Sequence, residues 1–203
     1  MDRNMTEPLL MPYQALPFNG DTEICAEFLR LRDKYNIENA VETGTCVGGT
    51  TVWLSAEFNF VYSIEVNREY QKFAIQRLIA TGRRNWDVKL GKSEDKLGPI
   101  LKNLSGGVII FLDAHWSKEC PLMRELEIIA ESGLRPVIAI HDFQVPHHPE
   151  YGFDSYNGQP FMYQWLKPAI EKIYGEKGYK HYYNTAFCKE SAQRGIIYIT
   201  PND

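Results

Sequence analysis

The 203-residue chain has only 4 cysteines, Cys25, Cys46, Cys120 and Cys188, with no C-x-x-C pair among them. Cysteines scattered this way exclude a disulfide framework and a cysteine-rich zinc site, and fit reduced thiols in a cytoplasm. No apolar run approaches the roughly 20 residues of a membrane span. The first residues also lack the apolar core of a secretory signal. The expected location is therefore cytoplasmic, with no membrane partner. Positive charge is not in excess either: the formal net charge is −4. Nothing in that balance draws the chain toward nucleic acid. No internal repeat, linker or composition break divides the chain, so residues 1–203 read as a single domain with a full core.

What is present is concentrated in residues 41–51, VETGTCVGGTT. They read as a short buried strand, a glycine-rich turn and the start of a helix. Gly44, Gly48 and Gly49 allow close backbone approach to a ligand, and the helix N-terminus near Thr50 offers unpaired N–H groups. A dinucleotide fingerprint needs G-x-G-x-x-G, yet its middle glycine is missing between Gly44 and Gly49. Glu42, a carboxylate just before the turn, would repel a pyrophosphate. An NAD-linked oxidoreductase is the alternative this disfavours. Glu65 ends the next apolar run, FVYSIE, where a carboxylate accepts ribose hydroxyls. A cationic nucleoside without phosphates suits this set, and S-adenosylmethionine (SAM) is one.

The stretch resembles motif I of the class I SAM-dependent methyltransferases, in the form E-T-G-x-x-x-G-G-T-T. A second stretch, FLDAHWSKECPLMREL, resembles the D-A-H-(W/Y)…P-L…E-L segment of bacterial methyltransferases from natural-product and polysaccharide loci. Together these likenesses cover roughly residues 38–145. The resemblance implies a seven-stranded sheet with an antiparallel strand near its end, and a cofactor site at Glu42, Gly44, Thr45, Gly48, Gly49, Thr50, Glu65, Asp113 and His115. Lys92 stands where the family often has an acid, so the adenine contact falls to Ser93 or to backbone.

The rest of the pattern agrees with that architecture. Strand signals at 39–43, 60–65, 86–90, 108–113 and 136–142 alternate with helical signals. Asp21, Asn67 and Ser93 are the expected helix caps. Alternation of this kind implies a parallel sheet covered on both faces, a Rossmann-like three-layer αβα sandwich in the α/β class. Two further strands, 179–184 and 195–200, lack a helix between them, so one of them runs antiparallel. Residues 1–20 are expected to form a tail or a strap over the site. An exposed sheet edge or that strap offers a route to a homodimer. The segment 143–158 is long and carries Phe143, Tyr151, Phe153 and Tyr156; it reads as a substrate-gating loop.

Ligands of such sheets bind outside the carboxyl ends of the strands. Asp113 and Asp142 both stand there, and two carboxylates on neighbouring strand ends call for a cation between them. A divalent ion held by Asp113, Asp142 and His141 would lower the pKa of an acceptor hydroxyl. This layout resembles the macrocin O-methyltransferase group, which has an acid pair where this chain has His141 and Asp142. Imidazole suits a transition metal better than magnesium. The metal-free alternative uses His115 or His141 as general base, with an ordinary pKa of about 6.5. The expected activity is methyl transfer from SAM to a hydroxyl of a small-molecule acceptor, a sugar or natural product. A SAM-binding module without catalysis is the remaining alternative.

Overall fold

The computed structural model describes residues 12–114 and 120–202. Two short 3₁₀ turns, Pro12–Ala15 and Pro17–Gly20, precede the first helix, α1 (Thr22–Tyr35). Then β1 (Ile37–Thr43), α2 (Gly49–Glu57), β2 (Phe60–Glu65), α3 (Arg68–Ala80), β3 (Trp86–Leu90), α4 (Ser93–Lys102) and β4 (Gly107–Leu112) alternate. The chain continues through α5 (Leu122–Ser132) and β5 (Val137–His141) into a small hairpin of β6 (Ser155–Tyr156) and β7 (Gln159–Pro160). It closes with α6 (Tyr163–Tyr174), β8 (Tyr179–Tyr183) and β9 (Ile196–Pro201).

The main sheet has seven strands in the order β3-β2-β1-β4-β5-β9-β8. β1 pairs in parallel with β2 and β4, β2 with β3, and β4 with β5. β9 runs antiparallel to both its neighbours, β5 and β8. It is thus the last strand that turns round. The strand pattern expected from sequence is present within a residue or two at each boundary. The β6–β7 hairpin is new: it lies in and just after the segment read as a loop.

Period-two alternation explains the layering. In β4, Ile109 and Phe111 face a core shared with α1 and α2, including Phe28, Leu31 and Leu54. Ile110 and Leu112 face the opposite core, shared with Leu97 of α4, Leu126 of α5 and Ile170 of α6. A central strand buried on both sides must be apolar throughout, as GVIIFL is.

Local chemistry sets the helix starts. Asp21 accepts the N–H of Glu23, and Asn67 accepts those of Glu69 and Tyr70, as capping residues should. Ser93 was expected as a cap, and this is corrected: it is the first helical residue of α4, and the cap is Lys92, with no side-chain capping bond. Lys92 has the extended backbone of a cap, so the helix begins one residue earlier than a serine cap would place it. Among the described residues, no helix is long and apolar enough to cross a membrane.

Candidate functional site

The carboxyl ends of β1, β2, β4 and β5 surround a cavity of about 250 Å³. Gly44, Glu65, Asp113 and Asp142 line it, as do Cys46, Tyr70 and two residues of the N-terminal 3₁₀ segment, Gln14 and Asn19. Gly44 is needed where it stands. Its φ is +84°, and a Cβ there would lie 2.3 Å from the carbonyl oxygen of Asp113. That close approach seats the end of β1 against the end of β4.

The other two glycines serve packing. A Cβ on Gly48 would lie 2.8 Å from the Cβ of Ala74 in α3, and one on Gly49 would lie 2.6 Å from the carbonyl oxygen of Leu16. Thr50 uses its hydroxyl to accept the N–H of Phe18. The N-terminal segment therefore passes over the start of α2. Arg77 pins it there, donating to the carbonyls of Ala15 and Val47 at 2.7 and 3.1 Å.

Glu65 accepts the N–H groups of Cys46 and Asn67, one on each carboxylate oxygen and both at 2.7 Å. Each oxygen keeps a lone pair for a further donor. Burial raises its pKa above the ordinary value, opposed by those backbone N–H groups. Cys46 sits in the turn with φ +49°, a left-handed conformation uncommon for a non-glycine residue. Burial pushes its thiol up to about 11, so it lines the cavity uncharged.

Glu42 is only 1% exposed and is not among the cavity's lining residues. One of its oxygens accepts the hydroxyls of Thr51 and Ser63, each at 2.5 Å, and Ser63 in turn meets the hydroxyl of Thr45 at 2.5 Å. Ser63 donates to the carboxylate, so Thr45 is the donor to Ser63. Burial lifts Glu42 to about 8; the two hydroxyls oppose this, while the Asp113 and Glu65 charges add to it. Without a cation nearby, Glu42 holds a proton at neutral pH.

Asp113, His141 and Asp142 form a cluster in which one ligand atom from each lies within 4.8 Å of the others. His141 Nδ1 is 3.2 Å from Asp113 Oδ1 and 3.5 Å from Asp142 Oδ1. Donors about 2.1 Å from one ion lie roughly 3.0–3.4 Å apart; the His141–Asp113 separation falls in that range and the His141–Asp142 one just outside it, and a mixed N/O donor set is the chemistry of a transition-metal site. The same spacing suits an imidazolium bridging two carboxylates. Burial alone would depress the His141 pKa, but the Asp142 and Asp113 charges outweigh it and hold the ring well above the usual histidine range. Asp142 has φ +54°, a left-handed turn that aspartate tolerates better than most residues.

Of the residues singled out in the sequence, Gly44, Glu65, Asp113 and Asp142 meet at the cavity, with His141 against the two aspartates. Glu42 and Thr45 belong to the buried hydroxyl network. Gly49 and Thr50 lie under the N-terminal segment, Gly48 packs against Ala74 of α3, and Ser93 opens α4, outside the cavity lining. His115 lies outside the described residues. Sequence reasoning missed Gln14, Asn19, Tyr70, Asp154 and Arg194. Arg194 donates from Nε to Asp142 Oδ1 and from Nη2 to Asp154 Oδ1. The residues 144–161 are held at this rim as well: Gln144 N–H bonds to the Phe161 carbonyl, and Asp154 N–H to that of Asp142.

Solved structures share this architecture. An O-methyltransferase from Bacillus cereus in complex with S-adenosylhomocysteine (SAH) is 20% identical, with a TM-score of 0.61 over 95% of this chain and 82% of that chain. An O-methyltransferase from Streptomyces achromogenes, involved in tomaymycin synthesis and in complex with SAM, is 15% identical, with a TM-score of 0.61 over 87% and 78%. An rRNA methylase from Streptococcus thermophilus is 16% identical, with a TM-score of 0.54 over 88% and 93%. No protein-family model matches the chain, and no curated protein does. The chain thus has the Rossmann-like fold of methyltransferase structures. An enzyme of tomaymycin synthesis and an rRNA methylase share that fold, so the fold does not choose an acceptor.

Proposed function

We propose that this chain transfers a methyl group from SAM to a hydroxyl of a small organic acceptor. The observation that carries the reading is the charge of the cavity. Its lining has three carboxylates, Glu65, Asp113 and Asp142, while the groups that balance the two aspartates, Arg194 and His141, stand outside that lining. Such a lining suits a sulfonium and an ammonium and repels a pyrophosphate. The N-terminal segment over Gly49 and Thr50 also covers the helix start that a dinucleotide phosphate would need.

In this reading Glu65 holds the ribose hydroxyls with the lone pairs its backbone donors leave. Gly44 keeps side-chain bulk away from the cofactor, and Asp113 meets its cationic portion. Glu42, behind them, adds negative charge whenever a bound cation makes it ionise. When bound, SAM supplies an activated methyl group that needs only an aligned nucleophile. Asp113, His141 and Asp142 would hold a divalent ion, which lowers the pKa of an acceptor hydroxyl. The protein's own share is geometry: it fixes the reactants at the rim and keeps water out, which contributes several kcal/mol. The overall acidity of the chain, −4, favours a small acceptor over nucleic acid.

Calorimetry with SAH and with NAD tests the donor. SAH should bind with micromolar affinity and NAD should not; binding of NAD alone would end the methyltransferase reading. Asp113→Ala and Asp142→Ala, assayed with and without EDTA, test the acid cluster. Turnover should fall at least a hundredfold in both, and unchanged turnover would remove the ion from the mechanism.

A further inference from the structure

The acid cluster already contains a cation. Arg194, the second residue before β9, bridges Asp142 and Asp154 through two nitrogens of one guanidinium. The surrounding backbone is shaped to put it there. Gly152 and Arg194 form an isolated bridge, in which Gly152 N–H bonds to the Gln193 carbonyl and Gly195 N–H bonds to the Gly152 carbonyl. A Cβ at Gly152 would come 2.8 Å from Arg194 Nη1, so any side chain there would push the guanidinium aside. A Cβ at Gly195 would come 2.0 Å from the Phe143 carbonyl oxygen. Both glycines therefore bring the segment that carries the guanidinium, just before β9, close to the loop that carries Asp142. Asp154, through its N–H bond to the Asp142 carbonyl, sets the second anchor beside the first.

Asp142 Oδ1 is thus engaged by Arg194 while it also lies 3.5 Å from His141 Nδ1. A divalent ion seated between Asp113, His141 and Asp142 would share a carboxylate with a guanidinium, and two cations on one carboxylate repel each other. We infer that Arg194 is the resident counter-cation of the acid cluster, and that it competes with a divalent ion for Asp142. It is a positioning residue that keeps the ion loosely held and holds Asp142 in place when the ion is away. Asp154 anchors the guanidinium and does not bind the ion. The inference rests on the proposed seat of the ion at Asp113, His141 and Asp142.

Titration of the 203-residue chain with Mn²⁺ by calorimetry tests it, with SAH binding measured on the same samples. Arg194→Met should bind Mn²⁺ at least tenfold more tightly than the wild type. Asp154→Asn leaves all three donors and frees one anchor of the guanidinium, so it should bind more tightly by a smaller factor. A brace with no competing role would give the opposite sign, because losing it would only weaken the seat. Unchanged or weaker Mn²⁺ binding in Arg194→Met overturns the inference. If that variant does not fold, unchanged or weaker binding in Asp154→Asn overturns it. Absence of Mn²⁺ binding in every form also overturns it, while leaving the methyl-donor reading intact if SAH still binds. Loss of SAH binding alone would sink the donor and leave the competition readable from the ion.

Discussion

At the scale of single residues, the site is a place where carboxylates are kept out of water. Glu42 is the extreme case, with its pKa lifted to about 8 by burial. In the unfolded chain the same group releases its proton near the ordinary carboxylate value. The folded state therefore binds one more proton between those two values, and this group's contribution makes stability fall as pH rises through the window. The slope from one such group is about 1.4 kcal/mol per pH unit. Glu42→Gln removes it. Thermal unfolding from pH 5 to pH 8 should show a visibly shallower decline for the variant; identical slopes would mean that Glu42 is ionised throughout. Glu65, raised in the same direction, keeps part of the slope in both proteins. That Glu42 and Glu65 stand at or next to the ends of their strands was readable from the sequence. That Glu42 would sit behind the cavity was not, because one-dimensional spacing does not say which hydroxyls, here Thr51 and Ser63, fold over a side chain.

At the scale of elements, the 3₁₀ segment before α1 is the piece that joins core to site. Phe18 is 2% exposed and packs on Phe28, Phe111 and Trp53, with ring centroids 4.6, 5.1 and 5.3 Å away. Next to it, Asn19 lines the cavity. Phe18 and Asn19 both take left-handed backbone angles, φ 47° and 54°, which tight anchoring must hold in place. Phe18→Ala should cost about 3–5 kcal/mol of stability, as large aromatic truncations in cores do. It should also weaken SAH binding, because Gln14 and Asn19 lose their footing. A denaturant midpoint equal to that of the wild type would show that the segment is not part of the core. Sequence reading offered a strap or a tail for residues 1–20 and could not choose. Residues 1–11 lie outside the described residues; for 12–20 the anchoring contacts are long-range, Thr50 to Phe18 and Arg77 to Ala15, and leave no periodic trace. The same holds for the β6–β7 hairpin, whose strands are only two residues each and too short for an alternating pattern.

At the scale of the whole molecule, the architecture was legible because its signal is repeated. Five strand–helix alternations, apolar runs such as VIIFL and capping residues such as Asp21 all point to one layered sheet. The rim was half legible. Asp113 and Asp142 follow strands and His141 ends one, where ligands of open sheets gather, and so they stood out. Arg194 precedes a strand, 52 positions after Asp142, and nothing in its neighbourhood marks it. The reason is the reversed direction of β9. Six strands send their exits to the reactive rim, while β9 sends its entrance there. Tolerance to insertions should therefore be lopsided around the final hairpin. Two extra glycines in the connection 184–195 should disturb Mn²⁺ and SAH binding together, whereas the same addition in the turn 175–178, on the far side, should leave both near wild-type values. The last strand, placed among its neighbours as structural filler, is in effect the hinge post on which the chemistry of the rim is hung.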